Sequence, residues 1–396
     1  AEKIRENLND LAMTDTLNVG KPIRDTLGFD VPCAADLFES YAGLPDKIAG
    51  KCYGTLPDNV TMQFREPMGV IAAIVPWNFP LNLTFCPLAA IFAAGNRAMV
   101  KMSENSRNLA LLLAEISPRY FPKNKLQFFE DGGGRGPSFS SIPFDHLLFT
   151  GSGTTGKAVM ANAARNLTPV TLELGGKAPA VVGPDYSIQT AAERIMWVKM
   201  FNAGQICTNI DYVFLPEGRE QEFTEHCKKL IAQRYPDINA NDYTSIIDQR
   251  AFDRLNHTLD DAKAKGATVI NLAQGQTPDL SLRKFSPHIV LNPSADMIIS
   301  QREIFGPILP IRTYKTKEEV ASYINSHDRP LALYPFTNDK SLQKFYISHV
   351  MSGGVSVNEA LLHVAQHDLP FGGVGPSGMG HYHSQEGFNT FSKLRP

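Results

Sequence analysis

The stretch His146-Leu-Leu-Phe-Thr-Gly-Ser-Gly-Thr-Thr-Gly156 reads as a strand, a glycine turn and the opening of a helix. His146 to Thr150 is an apolar run of strand length, and Gly151 to Gly156 has G-x-G-x-x-G spacing. In that setting the glycines permit a tight turn, and the free amides of the starting helix can meet a pyrophosphate. The neighbouring sequence keeps the same rhythm. Upstream, strands are predicted at 69–75, 97–101 and 125–129, with helices at 82–94 and 106–119; downstream, a helix at 153–165 leads to a strand at 169–173. Such alternation predicts βαβ units and a parallel sheet. After Gly175 and Gly176 a second series begins, with a strand near 179–183 and helices near 188–203, 218–234 and 249–265. Further strands are expected near 287–291, 308–313, 331–336 and 353–357. The expectation is an α/β protein with a Rossmann-like parallel-sheet first domain and a second α/β domain, and a β-hairpin near 50–66.

Composition supports a two-domain globular chain: 396 residues, 43% hydrophobic and 20% charged. A net charge of -2 and the lack of a long basic run argue against nucleic acid or membrane surface as partner. The apolar stretches Val70 to Pro76 and Leu88 to Ala94 are far shorter than the roughly 18 residues of a membrane span. Five widely spaced cysteines without a C-x-x-C disfavour a disulfide framework or structural zinc, and point to a reducing compartment, most simply the cytoplasm. Ala1 falls within an amphipathic pattern (Ile4, Leu8, Leu11, Ala12), so the natural start is expected upstream.

Candidate chemistry gathers at a few places. Cys207, in Asn202-Ala-Gly-Gln-Ile-Cys207, follows a glycine-ended helix and so belongs to a loop; a nucleophilic thiol there needs a nearby base or dipole. The bland alternative is a small buried hydrophobe. Glu173, in Thr171-Leu-Glu-Leu-Gly-Gly-Lys177, ends an apolar strand. It is either a salt-bridged strand-end carboxylate or a buried one with a raised pKa suited to proton abstraction. Glu173 also lies 22 residues beyond Gly151, where a dinucleotide fingerprint expects its ribose-binding acid. Lys101 and Glu104, at the end of another strand, compete for that role and would leave Glu173 free, although a solvated strand end is the plainer reading of that pair. Asn78, in Val75-Pro-Trp-Asn-Phe-Pro80, could donate to a developing oxyanion or merely bond its own turn.

In order and spacing, PWNFP (76–80), K-x-S-E (101–104), FTGS (149–152), LELGGK (172–177), GQIC (204–207), EIFGP (303–307) and LPFGGVGPSGMG (369–380) resemble the aldehyde dehydrogenase superfamily. The segments 76–102, 144–177 and 363–391 look most like the coniferyl aldehyde dehydrogenases of its class 3-like branch. The resemblance implies that Cys207 attacks an aldehyde, that the Asn78 amide and the Cys207 N–H hold the oxyanion, and that Glu173 activates water to hydrolyse the thioester. It further implies a nicotinamide cofactor held by Trp77, Lys101, Glu104, Gly151, Ser152, Glu303 and Phe305, with Glu104 favouring NAD while NADP is accepted by relatives. The implied domains are 1–174 for the cofactor, 175–366 for catalysis, and a segment 367–396 returning to the cofactor domain and a homodimer interface. Family members carry longer ends, so a chain closing at Lys393-Leu-Arg-Pro396 is expected to weaken that dimer. Met102 and the stretch Phe129 to Gly136, which includes the glycine-rich loop Asp131 to Gly136, depart from the family pattern on the adenine side.

His363 and His367, in H-x-x-x-H without a zinc-protease Glu, and His381 and His383 read as loop histidines, so no metal is expected. Phe79, Leu83, Phe85 and Phe391 are candidates to line an apolar tunnel for an aromatic or long aliphatic aldehyde. Two rival functions stand beside this one: a CoA-acylating relative, which typically lacks the hydrolytic Glu, and a catalytically silent binding protein of the same fold.

Overall fold

Short apolar runs bounded by glycine and proline become the strands of two largely parallel sheets in the computed structural model, which describes residues 1–44, 50–56, 59–132, 134–366 and 368–396. His367 and Gly133 lie outside the described residues. The expected hairpin forms from β1 (Gly50–Leu56) and β2 (Asn59–Pro67), paired antiparallel. A strand near the carboxyl end, β16 (Ser392–Arg395), adds to β2 of the same chain and completes a three-stranded sheet.

The first parallel sheet holds β3 (Val70–Ile74), β4 (Arg97–Lys101), β5 (Leu126–Phe129), β6 (His146–Thr150) and β7 (Val170–Glu173). Their spatial order is β7-β6-β3-β4-β5, with β15 (Gly378–Met379) antiparallel on β7. The chain therefore runs outward from β3 in one direction and resumes on its other side at β6. That reversal leaves a crevice beyond the carboxyl ends of β3 and β6, where open parallel sheets bind ligands. The helix Gly153–Ala164 starts at this crevice, capped by Ser152, whose Oγ accepts the Thr155 N–H at 3.3 Å.

Between Glu173 and Ala178 the chain changes sheets. The second sheet has the order β10-β11-β12-β9-β8-β13-β14: β8 (Ala178–Val182), β9 (Ile210–Pro216), β10 (Thr268–Asn271), β11 (His288–Leu291), β12 (Ile308–Tyr314), β13 (Ala332–Phe336) and β14 (Gly354–Val355). All its pairings are parallel except β10 with β11. Two of these strands, β9 and β10, were not expected from the sequence, nor were the helices Lys317–Asn325 and Lys340–His349. The strand expected at 353–357 shrinks to Gly354 and Val355. One continuous hydrophobic core runs under both sheets, from Ile4 to Phe391. No helix among the described residues is long and apolar enough to cross a membrane.

Candidate active site

Cys207 owes its position to a short, strained loop. The helix Ile188–Met200 stops earlier than its periodicity suggests, and Asn202, Ala203 and Gly204 follow with φ of 50°, 50° and 74°. Left-handed backbone is costly for the first two, which side chains must compensate. Asn202 Nδ2 donates to the Asn78 carbonyl at 3.1 Å, while Gln205 donates through Nε2 to Ser245 O at 3.2 Å and accepts the Ile247 N–H on Oε1 at 3.0 Å. At Gly204 a Cβ would lie 2.5 Å from the Gly306 carbonyl, so only glycine fits. Beyond Cys207, the Tyr334 hydroxyl donates to Thr208 O at 2.6 Å. Cys207 is thus held on an immobilised loop and is partly exposed, as the sequence predicted. Burial, then Glu303 and Glu173, pushes its thiol up to about 12.

Asn78 comes from the rigid turn after β3. It is buried, and its Nδ2 donates to Gln205 O at 3.2 Å, so the turn and the Cys207 loop grip one another in both directions. Glu173, at the carboxyl end of β7, is only 2% exposed, and neither carboxylate oxygen has a hydrogen-bond partner among the described residues. Burial pushes its carboxyl well above the ordinary range. Of the two readings left open by sequence, the salt-bridged strand end is therefore ruled out.

Glu303 lies close to the Gly175-Gly176 turn that follows Glu173. Its Oε1 accepts the Gly176 N–H at 3.0 Å, and burial is the main cause that lifts its carboxyl to about 7. A Cβ on Gly175 would fall 2.4 Å from the same oxygen, which explains the glycine at 175. The segment carrying Glu303 is fixed by Lys177, which pairs with Asp211 and donates to the carbonyls of Ile299 at 2.9 Å and Arg302 at 3.1 Å. Asp211 in turn accepts the Ile304 N–H at 2.8 Å. Trp77 and Phe305 meet edge to face, with ring centroids 5.7 Å apart, Phe305 at φ 49°.

These side chains converge on one groove of about 680 Å³, lined by Trp77, Asn78, Gly151, Ser152, Glu173, Cys207, Glu303 and Phe305. A second, narrow and apolar channel reaches Cys207 and Asn78 from the other side, walled by Phe29, Phe79, Phe201, Phe371 and Tyr382. Cys207 and Asn78 thus line both the large groove and the narrow apolar channel. A nicotinamide dinucleotide suits the groove: first-turn amides at Gly153 and Thr154 have no intrahelical acceptor and can take an anion. At the other end are the Trp77 and Phe305 rings and the Glu303 carboxylate.

Some expectations are corrected. Phe79 and Leu83 line the channel, but Phe85 packs on Phe38, and Phe391 is fully buried against His146. Lys101 does not join Glu104: it is buried and paired with Asp131, whereas Glu104 is exposed, accepting from Ser103 Oγ at 3.2 Å. Asp131 thus ties the start of the glycine-rich loop to the sheet, while Gly132, Gly134 and Arg135 are exposed. Gln205, Lys177, Asp211 and Tyr382 were missed; Gln205 and Lys177 lie inside the quoted motifs, but nothing local reveals what they bind. Among the described residues no cluster of potential metal ligands occurs; His363 Nδ1 lies 2.9 Å from Ser356 Oγ, and His383 stacks on Phe371.

The aldehyde dehydrogenase family model matches residues 1–395, and the chain belongs to that family. It is an oxidoreductase acting on aldehydes. Among its relatives, the probable coniferyl aldehyde dehydrogenase of Pseudomonas aeruginosa is 49% identical over 332 residues, covering 83% of this chain and 69% of that protein. The dimeric NADP-preferring aldehyde dehydrogenase of Rattus norvegicus is 40% identical over 352 residues, 88% of this chain and 76% of that one. In structure, the betaine aldehyde dehydrogenase of Staphylococcus aureus in complex with NAD+ superimposes with a TM-score of 0.90 at 27% identity, over 100% of this chain and 79% of that one.

Proposed function

We propose that the chain oxidises a hydrophobic aldehyde, an aromatic one such as coniferyl aldehyde, to the carboxylic acid through a thioester on Cys207. The observation that carries this reading is that the large groove and the apolar channel share Cys207 and Asn78, with a buried carboxylate, Glu173, that has no hydrogen-bond partner among the described residues, lining the same groove. The aldehyde enters by the channel. Cys207 loses its thiol proton to solvent and its Sγ adds to the carbonyl carbon, while Asn78 Nδ2 and the Cys207 N–H donate to the oxygen as the C=O π bond opens and it gains charge. NAD, or NADP, when bound would accept the hydride from that carbon, and the oxygen re-forms its double bond to leave a thioester on Cys207. Glu173 then takes a proton from water, the hydroxyl adds to the thioester carbon, the C–S bond breaks, and the acid leaves with the thiol restored.

In this reading Gly151 and Ser152 take the pyrophosphate, Glu303 the nicotinamide ribose, Trp77 and Phe305 the nicotinamide ring, and Glu104 the adenosine ribose, with Lys101, engaged by Asp131, facing the same end of the groove. Glu104 favours NAD, since a carboxylate repels a 2′-phosphate. Residues 1–174 form the cofactor domain, 175–366 the catalytic domain, and 367–396 returns to the first; β15 and β16 support that division. A homodimer and a cytoplasmic setting complete the proposal, the latter in keeping with Cys33, Cys86, Cys207 and Cys227 as free thiols. The test is NADH formation from cinnamaldehyde-type, benzaldehyde-type and fatty aldehydes, with and without CoA. Acid formed without CoA is expected, fastest with the aromatic substrates; acyl-CoA formed only with CoA, or no turnover, would overturn the reading.

A further inference from the structure

Lys101 is the residue at which this chain departs from the arrangement its motifs imply. The carboxyl edge of the first sheet continues from the groove toward it: Val75, just before the groove-lining Pro76, donates its N–H to Lys101 O at 3.0 Å. Lys101 is in register with Ile74 on one side and Phe129 on the other. Nearby, Asn105 Nδ2 lies 3.4 Å from Asp248 Oδ2, and Asp248 lines the groove, so the Glu104 turn stands at its mouth. The ammonium of Lys101 nevertheless turns to Asp131, at the root of the glycine-rich loop, with side chains only 7% and 11% exposed. Asp131 is fixed through its other oxygen, which accepts the Arg135 N–H at 2.7 Å. Swinging Lys101 away would leave that half-buried carboxylate without its cation, an arrangement proteins avoid.

We propose that Asp131 is a cofactor-selecting residue, holding Lys101 away from a 2′-phosphate, so that the chain discriminates against NADP. This rests on the reading that Lys101 and Glu104 face the adenosine ribose. A free lysine at that strand end would be a cation for the 2′-phosphate; the paired one offers little net charge. Glu130, the next acid on the loop, is engaged by Arg107 at 2.7 Å, which leaves Asp131 to set the charge at Lys101.

The test is direct binding, by calorimetry without aldehyde, of 5′-AMP, 2′,5′-ADP, NAD and NADP to the whole chain and to D131N, E104Q, K101M and D131N/K101M. D131N, isosteric and uncharged, should raise affinity for 2′,5′-ADP and NADP about tenfold, the order expected of one charge removed a few ångström away where water screens the pair. Affinity for 5′-AMP and NAD should change less than about threefold, and adding K101M should cancel the gain. If D131N leaves the preference unchanged while E104Q shifts it, the role of Asp131 is overturned and the ribose site stands. If E104Q, K101M and D131N all leave every ligand unaffected, the ribose reading itself is wrong, and this proposal with it. D131S serves should D131N fail to fold, judged by its melting temperature.

Discussion

The Asn78 amide nitrogen donates to the Gln205 carbonyl at 3.2 Å, joining the turn after β3 in one sheet to the nucleophile loop of the other. The return bond, Asn202 Nδ2 to Asn78 O at 3.1 Å, makes the contact reciprocal. Asn78 and the loop that carries Cys207 are therefore positioned by each other, even though they belong to different sheets.

Asn78→Ala removes the donor and one of these clasps. The expected result is a fall of about 10²–10³ in kcat at nearly unchanged cofactor affinity. Steady-state kinetics with a cofactor titration checks it; equal loss in kcat and in cofactor binding would show collapse of the loop instead.

In the cofactor-free protein the Cys207 thiol is held at about 12 by burial and the neighbouring carboxyls, so it rests protonated. Iodoacetamide should alkylate it slowly, with a rate rising about tenfold per pH unit between roughly pH 7 and 9, since the thiolate is the reactive form. A plateau below pH 8 would mean a thiol activated before cofactor or substrate arrives.

Burial lifts Glu303 from an ordinary 4.5 to about 7, and lifts Glu173 in the same direction. Folded-state values above the unfolded ones mean that the folded chain binds more protons between them. The stability that Glu303 contributes is full below about pH 4.5 and is lost as pH rises through about 7. Melting temperatures from pH 5 to 8 should therefore favour the wild type over Glu303→Gln less and less as pH rises; a difference independent of pH would remove this origin.

Lys21, Asp15 and Asp30 form a fully buried ionic cluster, with Lys21 Nζ 4.4 Å from the Phe79 ring centroid and Asp30 accepting the Asn82 N–H at 3.0 Å. Lys21→Met strands two buried carboxylates and should cost about 3–5 kcal/mol in urea unfolding. A loss below 1 kcal/mol would show that water or neighbours compensate.

What could be read from sequence followed the range of the forces involved. The strands of the first sheet, the helix at Gly153 and the loop position of Cys207 depend on local patterning, and each was legible within a residue or a few. The capping box of Thr316 and Glu319 could have disclosed the helix Lys317–Asn325 in the same way. The central strand β9 could not be recognised by alternation, because it is buried on both faces and carries Asp211, which makes sense only opposite Lys177. Asp131 was hidden for a like reason: its partner lies 30 residues earlier on another strand. The burial of Glu173, which decides between two chemistries, comes from packing that no local pattern encodes.

The central claim is that Glu173 acts after the sulfur of Cys207 has become acylated. Rapid mixing of Glu173→Gln with an aromatic aldehyde and NAD, followed by intact-protein and peptide mass spectrometry, tests it most directly. The predicted result is about one equivalent of NADH formed in a burst, with the acyl group retained on the Cys207 peptide. Full turnover without accumulation, or a loss of NAD binding with chemistry otherwise intact, would contradict it.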